Sequence, residues 1–214
     1  PLNNTMIKQL ITLGTLFLTL LCNAQINAVT ENGDAVLLYK DNTWKYSNES
    51  LNETVEILKN DTPFTKAKKS SFLVKSSKTN AGIWINPKDW SFSKAKTDSP
   101  SEFQFSHKQL DVYGMLIAEK TEVAVEALIN IAYENALEAA PDIKIVEKEY
   151  RTVNGIEVIM MKMKGTIQGV KFVYFGYYYS NAEGAFQFLT YTSQNVFNEY
   201  ENDMLNLLNG FTEY

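Results

Sequence analysis

His107 is the chain's whole supply of imidazole, and Cys22 its whole supply of thiol. A nucleophile and base would therefore have to pair His107 with a serine or threonine. Ser106 precedes it in a stretch that reads as a strand, where neighbours point to opposite faces. His107 is expected to be a plain surface side chain. A zinc site built from histidine and cysteine lacks the ligands, and no Asp-x-Asp-x-Asp-Gly spacing offers a calcium loop. Glu147 and Glu149 share one strand face and could split acid and base roles if burial separated their pKa values. Lys144, Lys148 and polar neighbours point instead to a solvated edge. Glycine-rich phosphate loops, Gly-x-Ser-x-Gly and His-Glu-x-x-His are missing from the sequence. We expect no catalytic residues, no metal site, no cofactor and no enzymatic activity.

Residue types suited to binding are better represented. Arg151 is the only arginine, and Tyr174, Tyr177, Tyr178, Tyr179 and Tyr191 crowd two adjacent strands. Tyrosine brings a large contact area with a polar tip. Most of these rings should be core, and Trp90 should be a packing anchor. If a groove exists, its candidate residues are Trp84, Tyr177 and Tyr179, with Arg151 as an anion contact. Charge is also uneven. Residues 66–96 hold eight lysines against Asp89 alone, a net +7, whereas residues 97–150 have a net −7. Lys66, Lys68 and Lys69 are a candidate patch for an anionic partner. The competing reading is two solvated regions that cancel when folded. With one arginine and a net charge of −5, nucleic acid is a poor partner.

These residues need elements to hold them. Residues 1–5 precede Met6, the first candidate initiator. Residues 6–24 read as a signal peptide: Lys8, an apolar run from Leu10 to Leu21, and a small-x-small end at Cys22-Asn23-Ala24. The bulky Leu21 favours a free product over lipid attachment at Cys22. Residues 25–48 read as a β-meander, with Asn32-Gly33 and Asp41-Asn42 as its turns. Residues 49–70 read as a polar linker with a short helical piece at Glu53 to Leu58. From residue 71 onward, strands are expected at 72–75, 82–85, 102–106, 112–118, 143–150, 156–166, 169–179 and 186–192. Asn154-Gly155 and Gln168-Gly169 read as tight hairpin turns. One helix should start at a Thr121 cap and carry Val125, Leu128, Ile129, Ala132 and Ala136. A second should run from Gln194 to Asn209, stopped by Gly210. Strand 170–179 is apolar on both faces, which requires cover on both. The fold class is therefore α+β: an α–β–α sandwich around a mainly antiparallel sheet, plus the N-terminal meander.

Ile83-Trp84-Ile85-Asn86-Pro87-Lys88-Asp89-Trp90 resembles an early strand and Pro-x-x-Trp turn of the PsbP-like superfamily. Leu207-Leu208-Asn209-Gly210-Phe211 is similar to that family's final helix and terminal phenylalanine. The resemblance covers residues 71–214 and implies the family's fold without catalytic residues. It also implies that the chain binds or helps assemble another protein. The function expected is an exported, non-catalytic protein, periplasmic or secreted, acting on another envelope or secreted protein. No membrane span is expected after signal cleavage. The signal-peptide ending fits a Bacteroidota source. The alternatives are a carrier of a small apolar or aromatic ligand, held between sheet and helix, and a carboxylate-based hydrolase.

Overall fold

The computed structural model describes residues 26–30, 35–39, 42–46, 55–96 and 99–214. The signal peptide, Cys22 and the Asn32-Gly33 turn lie outside these residues.

The meander is present as an antiparallel sheet of β1 (Ile26–Val29), β2 (Ala35–Leu38) and β3 (Trp44–Tyr46). Asn42 turns the chain with a φ of 66°. The Tyr39 N–H donates to the Thr43 carbonyl at 2.9 Å and closes that hairpin. β2 lies against the first helix, α1 (Val125–Ala139), and Val36 is buried. A three-stranded sheet this short is marginal alone, so the helix supplies the cover it needs.

The main sheet has eight strands: β4 (Leu58–Phe64), β7 (Trp90–Lys94), β8 (Phe103–His107), β9 (Tyr113–Glu119), β10 (Lys144–Val153), β11 (Ile156–Ile167), β12 (Val170–Asn181) and β13 (Gly184–Ser193). Their order is β4-β10-β11-β12-β13-β9-β8-β7, and every pair is antiparallel except β4 with β10. Asn154-Gly155 and Gln168-Gly169 have positive φ at both positions, the geometry that lets a two-residue turn follow the twist of its strands.

Four expectations are corrected. Residues 55–57 are not helical, and part of the expected linker is the edge strand β4. That strand pairs with β10 only from Glu149 onward, so Glu149 is not on a solvated edge, whereas Glu147 lies beyond the pairing with 41% of its side chain exposed. The expected strands at 72–75 and 82–85 do not join the main sheet. As β5 (Phe72–Lys75) and β6 (Ala81–Ile85) they form a second sheet with β14 (Phe211–Glu213), in the order β14-β6-β5. Thr121 does not cap α1; the helix begins after Ala124, without a side-chain cap. Residues 121–124 cross the sheet first, and Val123 N–H donates to Ser180 Oγ at 3.2 Å on the way.

Both faces of the main sheet are buried. Leu128, Ile129 and Ala132 of α1 pack with Phe172, Tyr178, Met161 and Met163 on one face. On the other, Val173, Phe175 and Tyr177 meet Phe197, Met204, Leu207 and Leu208 of helix α2 (Phe197–Leu208), together with Val74, Ile83, Ile85 and Phe211 of the small sheet. The helix cover expected on this face is thus shared with a second sheet. Trp90 is buried in this cluster, as its role of anchor requires.

Gly210 ends α2 for a different reason than a left-handed stop. Asn209 has φ −65°, and Gly210 is not among the glycines of positive φ. A Cβ at Gly210 would lie 2.0 Å from the Trp84 carbonyl oxygen. Only glycine lets the chain pass that close to β6. Among the described residues no helix is long and apolar enough to cross a membrane.

Candidate functional site

The candidate residues separate into an interior group and a surface group. Arg151 and Tyr177 belong to the interior. Arg151 is nearly fully buried, pairs with Glu149, and donates from Nη1 to the Tyr177 hydroxyl at 3.3 Å. Tyr177 in turn donates to Asn209 Oδ1 at 2.8 Å, and Asn60 Nδ2 donates to Glu149 Oε1 at 2.9 Å. Phe64 of β4 covers the guanidinium, with its ring centre 4.6 Å away. Burial opposes the charge on Arg151, but Tyr177 and Glu149 outweigh it and hold the pKa above its ordinary value. Burial likewise pushes Tyr177 up to about 12, against the pull of Arg151. The expected anion contact is therefore corrected: Arg151 is already met by Glu149 beneath a covering strand. This network ties β4, β10, β12 and the end of α2 together.

Tyr179 is also turned inward. Its hydroxyl donates to Glu213 at 2.5 Å and packs its ring 5.3 Å from Phe211. Glu147 lies 3.0 Å from Lys162, which also reaches Glu201 at 2.9 Å. Both carboxylates of the candidate acid–base pair are thus held by cations. Among the described residues the carboxylates with displaced pKa values, Asp89 and Asp142, both move down, the direction that disfavours an acid catalyst. His107 accepts at Nδ1 from the N–H groups of Gln109 and Leu110, at 3.2 and 3.1 Å, and sits edge-on to Trp90. It braces a turn. Among the described residues no group of three or more histidine, cysteine, aspartate or glutamate side chains could hold a metal. A cleft lined by Lys69, Asn86, Asp89, Trp90, Asp203 and Asn206 has about 10 Å³ of space, roughly room for one water.

The surface group lies on the outer face of the small sheet. Alternation along β5, β6 and β14 sends Val74, Ile83 and Phe211 into the core and Leu73, Lys75, Trp84 and Thr212 outward. Leu73 pairs with Trp84 across the strands and folds over Gly82. Tyr214 follows β14 on the same face, 49% exposed, and its hydroxyl donates to the Ser76 carbonyl at 2.6 Å. Two lysines lie over these rings. Lys66 Nζ is 5.0 Å from the Trp84 ring centre, and Lys75 Nζ is 4.1 Å from that of Tyr214. An exposed cation–aromatic contact of this kind is worth about 0.5–1 kcal/mol.

The lysine patch is brought together only in part. Lys66 joins Trp84, and Lys68 is exposed nearby in sequence. Lys69 instead bonds Asp89 at 2.8 Å, a contact that raises the lysine pKa and lowers that of the aspartate. Lys66, Lys68, Lys75 and Lys78 make no ion pair among the described residues. No described ion pair joins the basic stretch to the acidic one, so they do not cancel by direct pairing. Glu126, Glu134 and Glu138 lie on α1, across the main sheet. Sequence reasoning missed Leu73, Lys75 and Tyr214. Strand alternation could have paired Leu73 with Trp84, but β14 has three residues and gives too short a pattern to read.

No known protein family matches the sequence, and no curated protein matches it. Among solved structures, cyanobacterial PsbP (CyanoP) from Synechocystis sp. PCC 6803 matches at a TM-score of 0.51 and 14% identity, covering 69% of this chain and 95% of that one. The fold is PsbP-like. A protein of unknown function from Pseudomonas aeruginosa, PA94, described as a putative regulator, matches at a TM-score of 0.39 and 10% identity over 62% of this chain and 89% of its own. A protein from Bacteroides thetaiotaomicron VPI-5482 matches at 0.44 and 13% over 68% and 49%. The PsbP-like match bears out the α+β class and the fold that the Pro-x-x-Trp turn and the final helix suggested.

Proposed function

We propose that this chain is an exported, non-catalytic protein that binds or helps assemble another envelope or secreted protein, using the outer face of the small sheet. In this reading the main sheet and its two helices, an α–β–α sandwich, are the rigid scaffold behind that face. The observation that carries the proposal is the placement of Lys66 over Trp84 and Lys75 over Tyr214, with no carboxylate among the described residues paired to either lysine. Aromatic area gives a partner something to bury, and uncompensated charge steers it.

The test is capture from a native envelope extract at low salt with the protein beginning at Gln25. Wild type should retain one specific partner, and raising the salt should release it. Lys66→Glu together with Lys75→Glu should lose it while melting as wild type does. Capture unaffected by both charge reversals, or repeated empty captures, would overturn the proposal.

A further inference from the structure

The eight-stranded sheet ends at β7, and none of the described strands pairs with its outer side. The register shows which groups are left there. The Asp89 carbonyl accepts from Lys108 N–H at 2.8 Å, and Ala95 N–H donates to the Glu102 carbonyl at 3.0 Å. In an antiparallel pair the bonded residues alternate, so 89, 91, 93 and 95 face β8. Phe92 and Lys94 therefore direct their N–H and C=O groups outward. Four of the five residues of β7 are exposed, and the edge contains no proline.

The side chains beside this edge are specific. Phe92 is 40% exposed, yet its ring is held from behind by Phe103 and Phe105, at 6.0 and 6.3 Å between ring centres. Phe72 of β5, 47% exposed, stands 5.6 Å from it. Lys94 lies two residues along, on the same face of the strand as Phe92, and Lys96 follows it. Neither lysine has an ion pair among the described residues. The carboxylate closest in register, Glu102, is engaged by Ser76 Oγ at 2.6 Å and by Ser77 N–H at 2.6 Å.

We infer that β7 is a strand-addition site for an extended segment of a partner protein, one carrying an apolar residue and an acidic residue two positions apart. The segment's backbone pairs with the outward groups of Phe92 and Lys94. Its apolar side chain covers the Phe72–Phe92 pair, and its carboxylate meets Lys94. The single intervening residue falls beside Ser93, on the other face of the strand. A second copy of this chain is a poor occupant. Pairing β7 with β7 would bring together two stretches of net +7, which repel. Edge lysines discourage such self-pairing while leaving the edge open to an acidic strand. This inference rests on the protein-binding reading above and names its geometry.

The test uses the protein from Gln25 onward and a short acetylated probe peptide, Thr-Glu-Thr-Phe-Thr-Glu-Thr. Titration followed by amide NMR should shift the Phe92 and Lys94 amides and slow their hydrogen exchange. A probe N-methylated at alternate backbone nitrogens, and one with lysine for glutamate, should each bind at least about tenfold more weakly, a loss of roughly 1.4 kcal/mol. Phe92→Pro removes an outward N–H that the β8 ladder does not use. It should abolish the response, while Phe92→Ala, which keeps the N–H, weakens it less. Three results would each overturn the inference: Phe92 and Lys94 amides silent at saturating peptide, binding indifferent to N-methylation, or concentration-dependent pairing of two copies through β7. Capture of an envelope partner that is lost in Lys66→Glu but intact in Phe92→Pro keeps the general reading and discards this one.

Discussion

Arg151 and Lys66 each lie against an aromatic ring, and the two contacts serve opposite ends. Arg151 lies under Phe64 with 9% of its side chain exposed, and its partner Glu149 has 12% exposed. Lys66 lies over Trp84 on the surface, without a carboxylate among the described residues. The first site is closed: charge, hydrogen bonds and cover are all supplied by the chain itself. The second leaves both its charge and part of its apolar area to water. Burial decides between them, because a charge removed from water must find its counter-charge inside the fold, whereas an exposed one need not. The closed site therefore holds β4 and the end of α2 in place, and the open one is available to a partner.

The sharpest way to break this contrast is Glu149→Ala. It strands a buried guanidinium, so the cost should be about 3–5 kcal/mol, read as a lower denaturant midpoint. Replacing Arg151 and Glu149 together by methionine should recover most of that loss. If the single substitution costs no more than a surface change, the network is not the clasp described here. Next in size is Gly210→Ala. Its Cβ would press on the Trp84 carbonyl that seats the exposed face, and overpacking of this kind costs about 1–3 kcal/mol, measurable as a lower Tm.

The pH dependence separates the two sites more finely. The folded state raises the Tyr177 pKa to about 12, so it binds the phenolic proton more tightly than the unfolded chain does. That contribution is complete below pH 10, falls as pH rises from about 10, and is lost near 12. Tyr177→Phe should therefore flatten the pH slope of stability in this window, read from denaturant midpoints at successive pH values. The smallest effect belongs to the surface. Lys66→Ala should change stability by less than about 0.5 kcal/mol while altering Trp84 fluorescence. A larger loss of stability would make Lys66 a structural residue.

The long strands were legible because β11 and β12 carry apolar residues on both faces over twelve positions each, and two-residue turns with glycine admit few alternatives. The stripe of α2 was legible for the same reason of repetition. Leu58–Phe64 was not. Its residues are mostly exposed, so it has no apolar pattern, and its strand character comes from the parallel edge of β10. Thr121 looked like a cap because the sequence does not show that four residues must first cross the sheet. The same limit applies to the candidate site. Trp84 and Lys66 were named from residue type, but 18 positions separate them and only the packing of the small sheet makes them neighbours.

By itself the sequence determined the elements whose pattern repeats, the turns, and the absence of the familiar catalytic and metal motifs, because each of these is local along the chain. Tertiary structure alone decided that two expected strands leave the main sheet, that Arg151 is enclosed while Lys66 is open, and that β7 is an edge. Those facts depend on which distant segments meet. Burial and pairing belong to the contacts a residue makes, and its own type leaves them undetermined.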